Sequence, residues 1–226
     1  MDVKFVGAPA YTLAYCILAV GEGLHTERSS IALLSEGVEV RAALPGGPIK
    51  SLLRHRFGEE SLIMAHCVAA VHGAWVGVSP LYPGDILVHD LTEEGLYVEA
   101  GSLLAMADTV DVEVRPASLR NVALHEGATI LRASGQGTIL FSAYGSIERV
   151  PLADGAQLIV DTGHLVAWTP STAMRVGPLT GLTQTVLTGA GLVAEFTGPG
   201  EVFVQTRSPQ GIRSWMYADQ PQNSGQ

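Results

Sequence analysis

The chain is written in short apolar segments, rich in Val, Leu, Ile and Thr, that Gly, Pro or Asp interrupts roughly every 8–12 residues. Segments of that length are too short for ordinary helices and too regular for loops, and they predict an antiparallel β-sandwich or barrel. Residues 137–144 and 157–161 are examples, and 201–207 alternates most cleanly, with Val202, Val204 and Thr206 on one predicted face. Turn chemistry is explicit at Pro83-Gly84-Asp85, Ala153-Asp154-Gly155 and Gly198-Pro199-Gly200. One short helix is predicted over residues 48–57, where Ile49, Leu52, Leu53 and Phe57 approach helical spacing and Gly58 follows as a stop.

Hydrophobic residues make up 47% of the 226 and charged residues 15%, so a sizeable core is expected and global disorder is excluded. A formal net charge of −9 argues against general nucleic-acid binding, which draws its affinity from Lys and Arg. Cys16 and Cys67 form neither a CxxC pair nor a metal-ligand spacing, and read as free buried thiols of a cytoplasmic protein. The first residues lack the basic, then apolar, pattern of a secretion signal. Residues 61–84 hold no Asp, Glu, Lys or Arg. They are broken by His66, His72, Gly73, Gly77, Pro80 and Pro83, which fits buried strands with a turn better than a membrane helix.

Internal repetition sharpens the reading. Segments beginning at Gly23, Gly95 and Gly163 resemble one another, and Leu-x-x-Gly recurs at Leu18–Gly21, Leu81–Gly84 and Leu152–Gly155. Repeats too short to bury a face alone stack into a continuous core. The expected organisation is therefore all-β, with three pseudo-repeated antiparallel sandwich or short double-stranded β-helix modules in one compact chain. These span residues 1–91, 92–160 and 161–217, with a disordered tail over 218–226.

Several strings together resemble one family: Gly58-Glu59-Glu60-Ser61-Leu62, Pro83-Gly84-Asp85-Ile86, Phe141-Ser142-Ala143-Tyr144-Gly145, the run 158–167, and Gly198-Pro199-Gly200 continuing to Gln205-Thr206-Arg207-Ser208-Pro209. The chain resembles the altered inheritance of mitochondria protein 24 family over about residues 2–217. That family is grouped by fold with the tryptophan RNA-binding attenuation protein. The resemblance implies a triplicated β-module and a homotrimeric ring of nine modules, with a scaffolding role. It carries no established enzymatic activity and no catalytic residues. Tyr144, Gly145, Asp161, Gly163, His164, Gln205 and Arg207 are the matching motif positions, and they read as structural. The glycine-rich basic segment of many relatives is reduced here to residues 45–50, with one Gly pair.

Asp161 and His164 come nearest to a catalytic dyad, since a carboxylate can orient an imidazole for base work. No Ser or Cys nucleophile is placed beside them, and Asp161-Thr162-Gly163 also reads as a strand-to-turn corner. The seven histidines include no His-x-His or His-x-x-x-His, so neither a metal nor a cofactor is expected. The charge divides into +4 over residues 41–58, from Arg41, Lys50, Arg54 and Arg56, and −13 over the rest. This segment reads first as a solvated helix, the alternative being weak contact with an anionic partner such as a membrane surface. The reading that results is a non-enzymatic scaffold or binding platform that self-associates as a trimer, its protein partner unknown. A small-molecule module with ligand held between β-modules is the alternative, and a hydrolase ranks third.

Overall fold

The computed structural model describes residues 1–27, 29–43, 64–115, 129–178 and 192–217. The predicted helix over 48–57, with Lys50, Arg54 and Arg56, and the tail over 218–226 lie outside the described residues. The chain is all-β, as the segment pattern predicts, and its strands form four antiparallel sheets. Sheet 1 has the order β1 (Asp2–Val6), β2 (Leu13–Ile17), β7 (Trp75–Val78), β4 (Ile31–Leu34). Sheet 2 runs β5 (Val38–Ala43), β6 (Met64–Ala69), β3 (Gly23–Glu27), β10 (Leu103–Ala107), β13 (Gly137–Ser142), β8 (Ile86–Leu91). Sheet 3 runs β11 (Val110–Arg115), β12 (Ile130–Gly135), β9 (Leu96–Glu99), β16 (Leu165–Trp168), β19 (Gly200–Gln205), β14 (Ile147–Leu152). Sheet 4 has three strands, β15 (Gln157–Asp161), β18 (Leu192–Thr197) and β17 (Ala173–Pro178).

Strand numbering exposes a regularity. Adding six to every strand of sheet 2 gives sheet 3 in the same order. The same step takes β4-β7-β2 of sheet 1 to β10-β13-β8, and β11-β12-β9 to β17-β18-β15 of sheet 4. Of the repeated sequence anchors, Gly23 opens β3 and Gly95 immediately precedes β9, but Gly163 lies within a 3-10 turn (Thr162–His164) after β15.

Apolar residues on alternate strand positions close three cores. Ala14, Cys16, Leu24, Val76 and Leu140 fill the first, between sheets 1 and 2. Leu96, Met106, Leu131, Ile139, Phe141 and Phe203 fill the central one, between sheets 2 and 3. Leu152, Val160, Trp168, Phe196 and Val202 fill the third, between sheets 3 and 4. Sheets 2 and 3 are therefore apolar on both faces. For β19 the expected single buried face is only half of the outcome: Val202 faces the third core, and Phe203, one residue on, faces the central core. The uncharged run resolves into β6 and β7 joined by a turn. Among the described residues no helix is long and apolar enough to cross a membrane.

Cys16 and Cys67 are free and buried, and burial pushes their thiols up to about 12 and about 11. The sequence reading missed a C-terminal helix, α1 (Pro209–Tyr217). Its start signal was present, because Ser208 precedes Pro209 at a position suited to a cap followed by a first-turn proline. The Gly211 N–H donates to Ser208 Oγ at 3.2 Å. Trp168 belongs to the third core, whereas Trp215, on α1, is 76% exposed.

Candidate functional site

The motif residues converge on one corner although they come from three stretches of chain. After β13 the chain turns through Tyr144 and Gly145, after β15 it passes through the 3-10 turn, and after β19 it runs through Thr206 and Arg207 into α1. Gln205 is buried at the centre. Its Oε1 accepts from the Tyr144 N–H at 2.9 Å, and its Nε2 donates to the Gly163 carbonyl at 3.0 Å. The same residue's carbonyl lies 2.7 Å from His164 Nδ1. A carbonyl only accepts, so Nδ1 carries the proton in this contact. The Arg207 N–H returns to the Tyr144 carbonyl at 3.1 Å.

Two glycines make the corner possible. Gly145 has φ 82°, and a Cβ there would sit 2.3 Å from Thr206 Oγ1. At Gly163 a Cβ would sit 2.6 Å from Ser208 Oγ, so this glycine lets the start of α1 close over the turn. Asp161 caps the turn, its Oδ1 accepting from the Gly163 N–H at 2.8 Å. Asp161 and His164 are thus each committed to backbone groups, and Gly163 is needed for the room it leaves rather than for a positive φ. Arg41, by contrast, lies far along the chain on β5, exposed and 2.8 Å from the Glu39 carboxylate.

Beside the corner is a cleft of about 310 Å³, walled by Tyr82, Tyr144, Glu99, Ser102, Gln205 and Arg213. The Tyr82 and Tyr144 rings stand 5.4 Å apart and tilted by 38°. Glu99 precedes a second 3-10 turn (Ala100–Ser102), in the position Asp161 holds before the first-described turn. Burial, the largest influence, holds its carboxyl above the ordinary carboxylate value, against hydrogen bonds from the Gly101 and Ser102 backbone and the Ser102 hydroxyl. Neither Glu99 nor Arg213 was singled out from sequence, since nothing local distinguishes them from surface charges.

A stability consequence follows. A carboxyl raised on folding keeps its proton in the native state over a range where the unfolded chain has released it. Its contribution is full at low pH and falls as pH rises from about 4.5 through the native value. Glu99→Gln is expected to remove that decline. Urea midpoints measured from pH 4 to 8 should show wild type losing stability relative to the variant, with a limiting slope of about 1.4 kcal/mol per pH unit. Parallel curves would show that folding leaves the Glu99 carboxyl unshifted.

Comparison with known proteins settles the family. Residues 3–207 match the family described as mitochondrial biogenesis AIM24. The chain belongs to this family. It is 23% identical over 194 residues to an uncharacterised protein of Streptococcus pyogenes serotype M6, spanning 82% of this chain and 77% of that one. The crystal structure of a Streptococcus pyogenes protein superposes with a TM-score of 0.79 at 22% identity, covering 96% of this chain and 98% of the other. At that identity the likeness speaks for the fold. In this AIM24-family chain the strings at 141–145, 158–167 and 205–209 meet where β13, β15, β19 and α1 form one corner, while the string at 58–62 lies outside the described residues.

Proposed function

We propose that this AIM24-family chain is a non-enzymatic platform built of three six-stranded modules, β2–β7, β8–β13 and β14–β19, and that copies join edge to edge into a closed trimeric ring in the cytoplasm. The observation that carries the reading is the pair of unfinished sheets at the two ends of the strand pattern. Internally, each module's last three-strand half is completed by the next module: β3 pairs with β10, and β9 pairs with β16. Sheet 4 ends in β15 and sheet 1 in β4, and among the described residues neither outer edge is paired. Exposed apolar strand edges are otherwise an aggregation hazard. A head-to-tail contact that closes on itself removes them.

The internal junctions supply the register. Ala105 lies opposite Thr26 and Met106 opposite His25, after a bulge between Leu103 and Ala105. Likewise Ala167 lies opposite Val98 and Trp168 opposite Tyr97, after a bulge between Leu165 and Ala167. β4 carries the same bulge between Ile31 and Leu33, and β15 enters a 3-10 turn as β9 does. Transferring the pattern sets Leu33 opposite Val160 and Leu34 opposite Ile159. Leu33, Leu34 and Ile159 are 45%, 42% and 55% exposed in the single chain. Leu34 shares a face with Val76 of the first core, and Val160 belongs to the third, so the contact extends both cores across the boundary.

Combining Leu34→Cys with Ile159→Cys tests this reading. A short thiol cross-linker should give covalent species up to a trimer and no larger, and neither single variant should give any. The native thiols, buried and weakly acidic, stay silent. Light scattering that finds only the 23.7 kDa single chain would overturn it. A second reading, favoured by the cleft that Glu99, Arg213, Tyr82 and Tyr144 line, is a small-molecule module. Its volume falls at the lower end of ligand pockets. Thermal-shift screening separates the two, because a ligand selective for the native state raises its melting temperature.

A further inference from the structure

Away from the cleft, three ligand-type side chains meet on one face of sheet 2. His25 and His66 lie directly opposite each other in the β3–β6 register, and their rings stack with centroids 4.5 Å apart and 17° between planes. Asp108 follows β10, whose Met106 lies opposite His25. Asp108 Oδ1 is 3.3 Å from His25 Nε2, and Oδ2 is 3.0 Å from His66 Nε2. One ligand atom from each of the three side chains lies within 4.8 Å of the other two. The group is partly open to solvent.

The cluster is more than a crowding of polar side chains. Gly23 leaves the space that the carboxylate occupies, since a Cβ there would fall 1.9 Å from Asp108 Oδ2. The strand framework does not require histidines at these positions either. One six-strand step along, the corresponding opposed pair is Tyr97 and Arg132, with the guanidinium 5.2 Å over the ring. A further step along, it is Ile159 and Glu195. Among these three pairs, β3–β6 alone sets two imidazoles opposite each other. The second nitrogen of His25, Nδ1, is buried with no hydrogen-bond partner among the described residues, so Nε2 is the atom this ring can offer.

We propose that His25, His66 and Asp108 form a binding site for a divalent transition-metal ion of the zinc type, held by Nε2 of each histidine and the Asp108 carboxylate, with solvent completing the coordination. Two imidazoles and one carboxylate suit zinc and its neighbours, whereas magnesium and calcium favour oxygen ligands. Each Nε2 lies 3.0 or 3.3 Å from one of the two Asp108 oxygens, a spacing that hydrogen-bonded groups share with atoms each about 2.0–2.2 Å from one ion. Three protein ligands with one open position is the arrangement in which zinc keeps a water. Sequence spacing conceals the site, because 42 residues separate His66 from Asp108 and the ligands meet only through strand pairing.

Zinc titration of the full chain by calorimetry, with cobalt substitution followed in the visible spectrum, tests the proposal. One equivalent of zinc per chain is expected, and His66→Gln and Asp108→Asn should each weaken binding by more than about 100-fold, beyond the cost of losing an outer-shell partner. His72→Gln, on the exposed turn between β6 and β7, should bind as wild type does. Metal-free melting temperatures show whether each variant folds. Should His66→Gln melt early, Asp108→Asn, on the turn after β10, carries the same test. Failure of wild type to bind zinc, or undiminished binding in both ligand variants, would overturn the site and leave a carboxylate hydrogen-bonded between two imidazoles. The proposal stands apart from the assembly, since its ligands all belong to one chain.

Discussion

Phe203→Ala is expected to destabilise the chain by about 3–5 kcal/mol, the range for emptying an aromatic position in a packed core. Phe203 is fully buried on β19, an interior strand of sheet 3 paired with β14 on one side and β16 on the other. Its ring meets Phe141 of sheet 2 edge-on, with centroids 5.3 Å apart and planes at 73°, and meets His89 at 5.7 Å and 78°. The ring therefore joins the two six-stranded sheets through the central core, in the geometry that aromatic quadrupoles favour. Strands hydrogen-bonded on both edges cannot shift easily to fill the void, so the cavity contribution should sit toward the upper end. Urea unfolding at one fixed protein concentration measures the loss. A change below about 1 kcal/mol would mean that the central core re-forms without its cross-sheet pair.

The same strand shows which features are legible in a sequence of this kind. Alternation in residues 201–207 identifies β19 as a strand, and the family strings mark its end at Gln205. What alternation cannot convey is that both faces are covered, since that depends on β19 lying inside a sheet with a core on either side. The glycine anchors of the expected repeat turn out to be a mixed set. Gly23 and Gly95 sit at equivalent strand starts, but Gly163 is a glycine that makes room for α1, so aligning all three mixes two different steric demands. Gln205 was visible as a motif residue, yet its contacts reach Gly163 and Tyr144 across separations of 42 and 61 residues. Long-range pairing of that kind leaves no local trace. Ser208 and Pro209 were the exception, a readable start signal for α1 hidden by the surrounding strand pattern.

If copies join as proposed, Ile159→Lys is expected to convert the trimer to single chains while leaving each chain folded. In the proposed ring, with the register carried over from the two internal junctions, Ile159 would face Leu34 of the neighbouring copy. An ammonium at that point would be desolvated against leucine, a cost that Glu195, opposite position 159 on β18, offsets only in part because Arg175 lies opposite that same carboxylate on β17. In the single chain the position is 55% exposed, and a surface substitution of this type normally changes stability by no more than about 0.5 kcal/mol. Light scattering should therefore fall from three chain masses to one, with a melting profile that no longer depends on protein concentration. Leu34→Glu alone should have the same effect. Combined with Ile159→Lys, it places opposite charges directly across the junction, an arrangement that favours cross-strand pairing, and should restore part of the assembly. Rescue requires both residues to face each other between copies. If either single variant keeps the full mass, the chains meet elsewhere, and the open edges of β4 and β15 need another explanation.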